Sequence, residues 1–429
     1  PGLLTELFIK HKIPHVAATQ DIAQKDRRQP QVELAIAAGQ AARTSATSAD
    51  ATRSITLKLN IAEQPADAEH AAGSGAQDVR LFRNNSLVKV WHGDALKGAS
   101  RATLEATVPL VAGKNRFTAY AFNRDNVKSS DANLIAIGAD ALKRRGTAYI
   151  LAVGVNQYDN AEYNLRYAKA DAQEFGAEVK RQQDRLSVYE RVEVIPLFDA
   201  EATKANIMRR LAELAQQSQP EDTVIFYFAG HGTAQDKSFY LIPHDLGYAG
   251  EREHLDAAGL SSILKHGISD RELEQAFEGI DAAQILLVID ACNSGQALEA
   301  EEKRRGPINS KGLAQLAYEK GMYILTAAQG YQQALEAARF GHGYLTYALV
   351  VEGLQKGAAD REPKDQAVLL REWLNYATER VPQMQEESNQ NLPQGKQRGF
   401  GLQDDAEVQR PRVFYRREAE ASPLIIARP

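Results

Sequence analysis

The sequence predicts a three-layer α/β domain with a mostly parallel sheet, preceded by a β-sandwich domain. Three observations carry that expectation. Five near-continuous apolar runs, at 148–155, 192–198, 223–228, 284–289 and 322–326, have the character of strands buried on both faces. Helical segments lie between them: Thr203 can cap a helix bearing Ile207, Leu211 and Leu214, and Ser269 or Asp270 one bearing Leu273, Phe277 and Ile280. Upstream, residues 31–140 read differently, as short β-prone runs between turn residues.

The upstream runs fall at 55–61, 79–83, 87–91, 102–111, 116–123 and 134–137. Phe117, Ala119 and Ala121 alternate with Arg116, Thr118 and Tyr120, as a strand with one solvated face requires. Strands this short and this frequent suggest a sandwich of immunoglobulin type over 31–142. Nothing in it carries chemistry, so a structural or docking role is expected, and residues 1–145 are expected to be dispensable for catalysis. Before it, 1–30 reads as a short amphipathic helix and a polar stretch; after it, Lys143-Arg144-Arg145-Gly146 reads as a linker. The strand–helix alternation from 147 to 410 argues crossovers packed on both faces of one sheet, and 411–429 reads as a tail.

The bulk numbers narrow the function. With 51 basic and 56 acidic residues the net charge is −5, which gives no electrostatic reason to expect nucleic acid as a partner. No apolar stretch approaches the roughly eighteen residues of a membrane span, and residues 3–9 are too short and too polar for a signal peptide. A chain that begins at Pro1 is expected to be part of something longer, with an upstream sensor domain or an activating partner. The single cysteine, Cys292, excludes an intrachain disulfide, so the fold needs no oxidising compartment and a cytoplasmic location is the default. A lone cysteine is more often a small buried hydrophobe than a nucleophile; only its context can say otherwise.

That context is the ends of two strands. In open α/β sheets functional groups sit beyond the carboxyl ends of the strands. The run at 223–228 leads into Ala229-Gly230-His231-Gly232, and the run at 284–289 into Asp290-Ala291-Cys292-Asn293-Ser294-Gly295. If the two strands are neighbours, His231 and Cys292 project from one edge. A thiol needs such an acid/base partner to act as a nucleophile at neutral pH.

Tyr-Phe-Ala-Gly-His-Gly at 227–232 and Asp-Ala-Cys-Asn-Ser-Gly at 290–295 resemble the two catalytic motifs of the caspase and metacaspase peptidases. The likeness extends to 150–154, to Arg166-Tyr167-Ala168-Lys169-Ala170-Asp171-Ala172 and to Gly341-His342-Gly343-Tyr344-Leu345-Thr346-Tyr347-Ala348-Leu349, and so covers about 147–400. The resemblance implies a caspase-like domain in which Cys292 is the nucleophile and His231 the acid/base. Main-chain N–H groups of Gly232 and Cys292 would form the oxyanion hole. It also implies an S1 pocket: where animal caspases carry Gln-Ala-Cys, this chain has Asp290, and Asp171 matches the acidic position that metacaspases use with it. Two carboxylates favour protein or peptide substrates with Arg or Lys at P1 and repel Asp. The family further implies service in bacterial stress, defence or cell death. The reading from a different class is a catalytically silent scaffold, against which the retention of both His231 and Cys292 argues.

Among the nine histidines, His244 and His342 are rivals for the base; His342 is expected to open a helix or line the substrate groove, and His254 and His266 to lie on the surface. No His or Cys pair has ligand spacing, so neither a bound metal nor another cofactor is expected; calcium activation, known among metacaspases, leaves no EF-hand pattern here. The charged segment after Cys292 offers Lys303, Arg304 and Arg305 in an expected loop, a place for self-cleavage by an enzyme that accepts basic P1 residues.

Overall fold

A computed structural model describes residues 25–37, 53–235, 238–291, 313–327, 336–337, 340–390, 408–416 and 423–428. Seven strands form the N-terminal domain: β1 (Gln31–Ile36), β2 (Ser54–Ala62), β3 (Gln77–Arg83), β4 (Ser86–Asp94), β5 (Arg101–Pro109), β6 (Gly113–Phe122) and β7 (Ala132–Gly138). They make two antiparallel sheets, ordered β1-β2-β5 and β4-β3-β6-β7. Alternate residues point inward: Ile55, Leu57, Leu59 and Ile61 from one sheet meet Val79, Leu81, Phe117 and Ala119 from the other in a shared apolar core. β1 is a strand that the sequence does not announce. Its Val32, Leu34 and Ile36 alternate as a strand should, but their burial is only partial and comes from the neighbours β2 supplies.

The second domain is built on six strands: β8 (Thr147–Gly154), β9 (Arg191–Phe198), β10 (Thr223–Ala229), β14 (Gln284–Asp290), β15 (Tyr323–Thr326) and β19 (Arg412–Phe414), ordered β19-β15-β14-β10-β8-β9. All pairs are parallel except β15–β19. Helices α1 (Ala168–Leu186), α2 (Lys204–Gln217), α3 (Ala257–His266), α4 (Asp270–Glu278) and α5 (Leu313–Lys320) join them, with α6 (Tyr344–Thr346) running into a π-helical stretch (Tyr347–Gln355), and α7 (Leu370–Gln390) beyond. Short strands complete the chain: β11 (His231–Gln235), β12 (Ser238–Ile242) and β13 (Ile268–Ser269) form one small sheet. β16 (Glu336–Ala337) pairs with β17 (His342–Gly343), and β18 (Val368–Leu369) with β20 (Ile425–Ala427). Residues of β10 alternate between two cores: Val224, Phe226 and Phe228 face α2, α4 and α5, whereas Ile225, Tyr227 and Ala229 face α1 and α7. That is the three-layer arrangement.

The expected helix caps form. The Thr203 hydroxyl accepts from Asn206 N at 3.2 Å, and Ser269 makes a reciprocal capping box with Glu272. The segment expected as a tail corrects that expectation. Residues of β19 extend the main sheet, and Ile426 and Ala427 of β20 are fully buried against α1 and α7. So short a hydrophobic run has no helical or strand period of its own, which is why it reads as a tail until a neighbour covers it.

The two domains meet at the amino ends of the central strands. The β3–β4 hairpin turns through Asn84 and Asn85, both at positive φ, the conformation a two-residue turn demands. Beside it, Arg83 grips Asp281 with two bonds of 2.7 and 2.8 Å. Arg80 pairs with Glu319 at 2.9 Å, and Arg144 in the linker with Asp222 at 2.5 Å. Lys320, at the end of α5, is buried beneath the hairpin and donates to Leu87 O and Ile280 O at 3.1 and 2.7 Å. Asp222 lies one residue before β10, and Asp281 and Lys320 three residues before β14 and β15, so the interface lies at one pole of the sheet. The carboxyl ends lie at the other, about 20 Å away for strands of this length.

Burial pushes the Lys320 ammonium down to about 8 from an ordinary 10.5, with Asp281 and Glu278 opposing. Between those values the unfolded chain binds a proton that the native chain does not, so native stability rises with pH across the window. Wild type should therefore gain up to about 3 kcal/mol on Lys320→Met as pH climbs from 8 towards 10.5. Urea unfolding of both proteins across that range measures it.

Candidate active site

The register of the sheet sets out the site. Ala229 of β10 pairs with Gly154 of β8 on one side and with Asp290 of β14 on the other, so these three residues form one row at the carboxyl edge. His231 lies two residues beyond Ala229. Ala291 is buried, and Cys292, two residues beyond Asp290, lies outside the described residues, as do Lys303, Arg304 and Arg305.

A pinned loop, 155–167, walls His231. Asp199 accepts from Asn156 N and Gln157 N at 2.9 and 3.0 Å and pairs with Lys169, and these partners hold its carboxyl below the usual range despite burial. Asn156 Oδ1 accepts from Lys169 N, Asn164 Oδ1 from Tyr158 N, and Asn160 Nδ2 donates to Tyr248 O and Gly250 O. Held in this way, the loop makes two contacts with His231. Its main-chain N–H donates to Tyr158 Oη at 2.7 Å, and its Nε2 lies 2.7 Å from Tyr163 O. A carbonyl only accepts, so the proton resides on Nε2, and Nδ1 is the nitrogen left to exchange a proton. A Cβ on Gly230 would stand 3.0 Å from the Tyr158 hydroxyl and 3.1 Å from the Phe228 ring, so that position needs the space glycine leaves. Burial among these rings lowers the imidazole to about 4, against the Tyr163 bond, which raises it. The ring is thus neutral at ordinary pH. Gly232 follows in β11, opposite Leu241, and is half-buried.

Asp171 and Asp290 are both buried and both bear on the hydroxyl of Tyr227, whose pKa is driven up by burial first and by these two charges next. Gly154 makes the approach of Asp171 possible: a Cβ there would meet Ala168 O at 2.6 Å, so α1 starts directly against β8. The segment 342–346 then joins the two carboxylates. His342 Nδ1 lies 2.7 Å from Asp171 Oδ1, Gly343 N donates to Asp171 Oδ2 at 3.0 Å, and Thr346 Oγ1 donates to Asp290 Oδ2 at 3.0 Å. Thr346 Oγ1 is also 2.5 Å from Tyr227 Oη. Burial raises the Asp171 carboxyl while the two bonds favour its charge; its proximity raises His342.

Of the rival histidines, His342 both precedes α6 and engages Asp171, whereas His244 turns its Nδ1 to Gln157 O at 2.6 Å. His254 is exposed beside Glu251. Among the described residues no group of three or more His, Cys, Asp or Glu is disposed to hold a metal ion, and no helix is long and apolar enough to cross a membrane. The sequence motifs omit Tyr158 and Tyr163 and contain Tyr227 and Thr346 without marking a role for either. Tyr163 contributes a main-chain carbonyl, which leaves no residue-type signal, and the others are polar tips on apolar bodies that read as core.

Tyr158→Phe should strand the His231 N–H and lower stability by about 1–3 kcal/mol in urea unfolding. NMR titration of the His231 ring should find a midpoint near 4, not the ordinary 6.5.

The family model of the caspase domain, peptidase C14, matches residues 147–399. A curated relative, inactive metacaspase-4 of Trypanosoma brucei brucei, is 35% identical over 92 residues; that match covers 21% of this chain and 26% of the relative, about a quarter of its length. A crystal structure of a Geobacter sulfurreducens protein aligns at 15% identity and a TM-score of 0.38 over 62% of this chain and 92% of that one. Raptor of Chaetomium thermophilum aligns at 12% and 0.28 over 51% and 20%. Scores this low carry no argument, whereas the family model spans more than half of the sequence. The chain belongs to the caspase-domain family of peptidases.

Proposed function

We propose that the chain is a cysteine endopeptidase of metacaspase type that cleaves after Arg or Lys, with Cys292 as nucleophile and His231 as acid/base. The observation that supports this most is the parallel pairing of β10 with β14, Ala229 opposite Asp290, since His231 and Cys292 each follow that row by two residues. With Nε2–H engaged by Tyr163 O, Nδ1 of His231 takes the thiol proton as sulfur attacks the scissile carbonyl carbon. The same nitrogen returns that proton to the amine as the C–N bond breaks, leaving a thioester. Water, deprotonated by His231, then adds to the thioester and expels the thiolate. Main-chain N–H groups of Gly232 and Cys292 would hold the oxyanion, each such donor contributing about 3 kcal/mol.

Basic P1 preference is supported by two buried carboxylates, Asp171 and Asp290, gathered around Tyr227. Seven strands in sheets of three and four support an immunoglobulin-like reading of the N-terminal domain, and its place at the far pole supports a role outside the chemistry. The second reading is a silent scaffold. It draws on the relative whose name calls it inactive, and the presence of both His231 and Cys292 weighs against it.

Fluorogenic peptides varied at P1 test the proposal. Wild type should hydrolyse Arg and Lys peptides and spare Asp; Cys292→Ala and His231→Ala should each fall below about a hundredth of wild-type kcat/KM while still folded. A preference for Asp at P1 would overturn the pocket assignment. Self-processing has its own readout. Intact-mass analysis should show two fragments parted at 303–305 in wild type and one chain in Cys292→Ala.

A further inference from the structure

In the pair that joins α1 to β17, the two members differ in exposure. The Asp171 side chain is 4% exposed and both of its oxygens are engaged, whereas the His342 side chain is 19% exposed. The imidazole is thus the member that a molecule arriving from solvent meets first. Its Nδ1 is committed to Asp171, which leaves Nε2 as the other ring nitrogen.

We propose that His342 is a specificity-determining residue of the S1 pocket: it stands in front of the Asp171 carboxylate, so that a cationic P1 side chain meets the imidazole and is accepted only when that ring is neutral. The inference rests on the peptidase reading with basic P1 preference. With the ring neutral, Nδ1–H donates to Asp171, Nε2 is an acceptor, and the pair carries one negative charge. A guanidinium or ammonium then finds an acceptor backed by a carboxylate, beside the second carboxylate of Asp290. With the ring protonated, the pair is neutral overall and offers an N–H to a side chain that has only donors. Asp171 acts on substrate through His342, and Asp290 sets the remaining charge.

The groups around His342 fix the direction of its titration. From α1 they are Asp171 and Glu174, both acidic and both raising its pKa above the ordinary 6.5. β16 carries Glu336 opposite Gly343 in the backbone register. Thr346, on the same segment as His342, bonds to Asp290 and to the Tyr227 hydroxyl, which burial keeps protonated. Hydrolysis of basic P1 substrates therefore rises with pH on a limb above 6.5, separate from the His231 titration near 4.

The test compares wild type with His342→Asn, whose amide N–H can replace Nδ1–H on Asp171 but never ionises. On the acid side of its limb, wild-type kcat/KM for an Arg-P1 peptide should climb about tenfold per pH unit. The variant should lack that limb and be the faster enzyme at the acid end. A second measurement needs no turnover: in Cys292→Ala, benzamidine, a guanidinium-like P1 mimic, should lower the NMR-observed pKa of the His342 ring. Superimposable pH profiles, or benzamidine that binds without moving that pKa, overturn the inference and leave the peptidase reading standing. A wild type that hydrolyses no Arg or Lys peptide at any pH, and binds no benzamidine, overturns that reading itself.

Discussion

The parallel pairing of β10 with β8 on one side and β14 on the other is the constraint from which the site follows. It sets Gly154, Ala229 and Asp290 in one row, and each strand delivers a different component just past that row. From β8 come the pinned loop and the start of α1, with Asp171; from β10 comes His231; from β14 come Asp290 and the chain leading to Cys292. A slip of one residue in either pairing would turn every side chain of that strand to the opposite layer, exchanging Tyr227 for Phe226 or Phe228. The two apolar cores forbid it, because each strand is buried on both faces. Packing deep in the sheet thereby sets the geometry at its rim.

Around that frame, polar groups are used in two distinct ways. At His231 a main-chain carbonyl and a tyrosine hydroxyl orient the ring without adding charge, and burial then keeps it neutral. At Asp171 and Asp290 hydrogen-bond partners answer buried carboxyl groups instead: burial raises the Asp171 carboxyl while His342 and Gly343 N favour its charged form, and Thr346 donates to Asp290. The segment 342–346 is the common tether, so any movement there reaches both carboxylates at once.

The N-terminal domain bears on the opposite pole. Its hairpin rests on the residues that lead into β14 and β15, and Arg83, Arg80 and Lys320 commit charges to a buried contact. Such contacts are costly to leave unpaired, which favours one docked arrangement over loose association. α5, which carries Glu319 and Lys320, is also the first described helix after Cys292.

Much of this was legible in the residues alone. Continuous apolar runs declared the parallel strands, Thr203 and Ser269 declared helix starts, and the motifs at 227–232 and 290–295 singled out His231, Cys292 and Asp290, because these features depend on near neighbours in the chain. β1 and β20 were not legible, since a half-exposed edge strand and a three-residue apolar run acquire burial only from the partners that cover them. Nor was the loop carbonyl of Tyr163, which any residue type supplies. The pairing of Asp171 with His342, 171 residues apart, could be decided only by the tertiary structure. Local sequence determines which groups are present and which element bears them; which two ionisable groups share a proton depends on long-range packing that brings their elements within hydrogen-bonding distance.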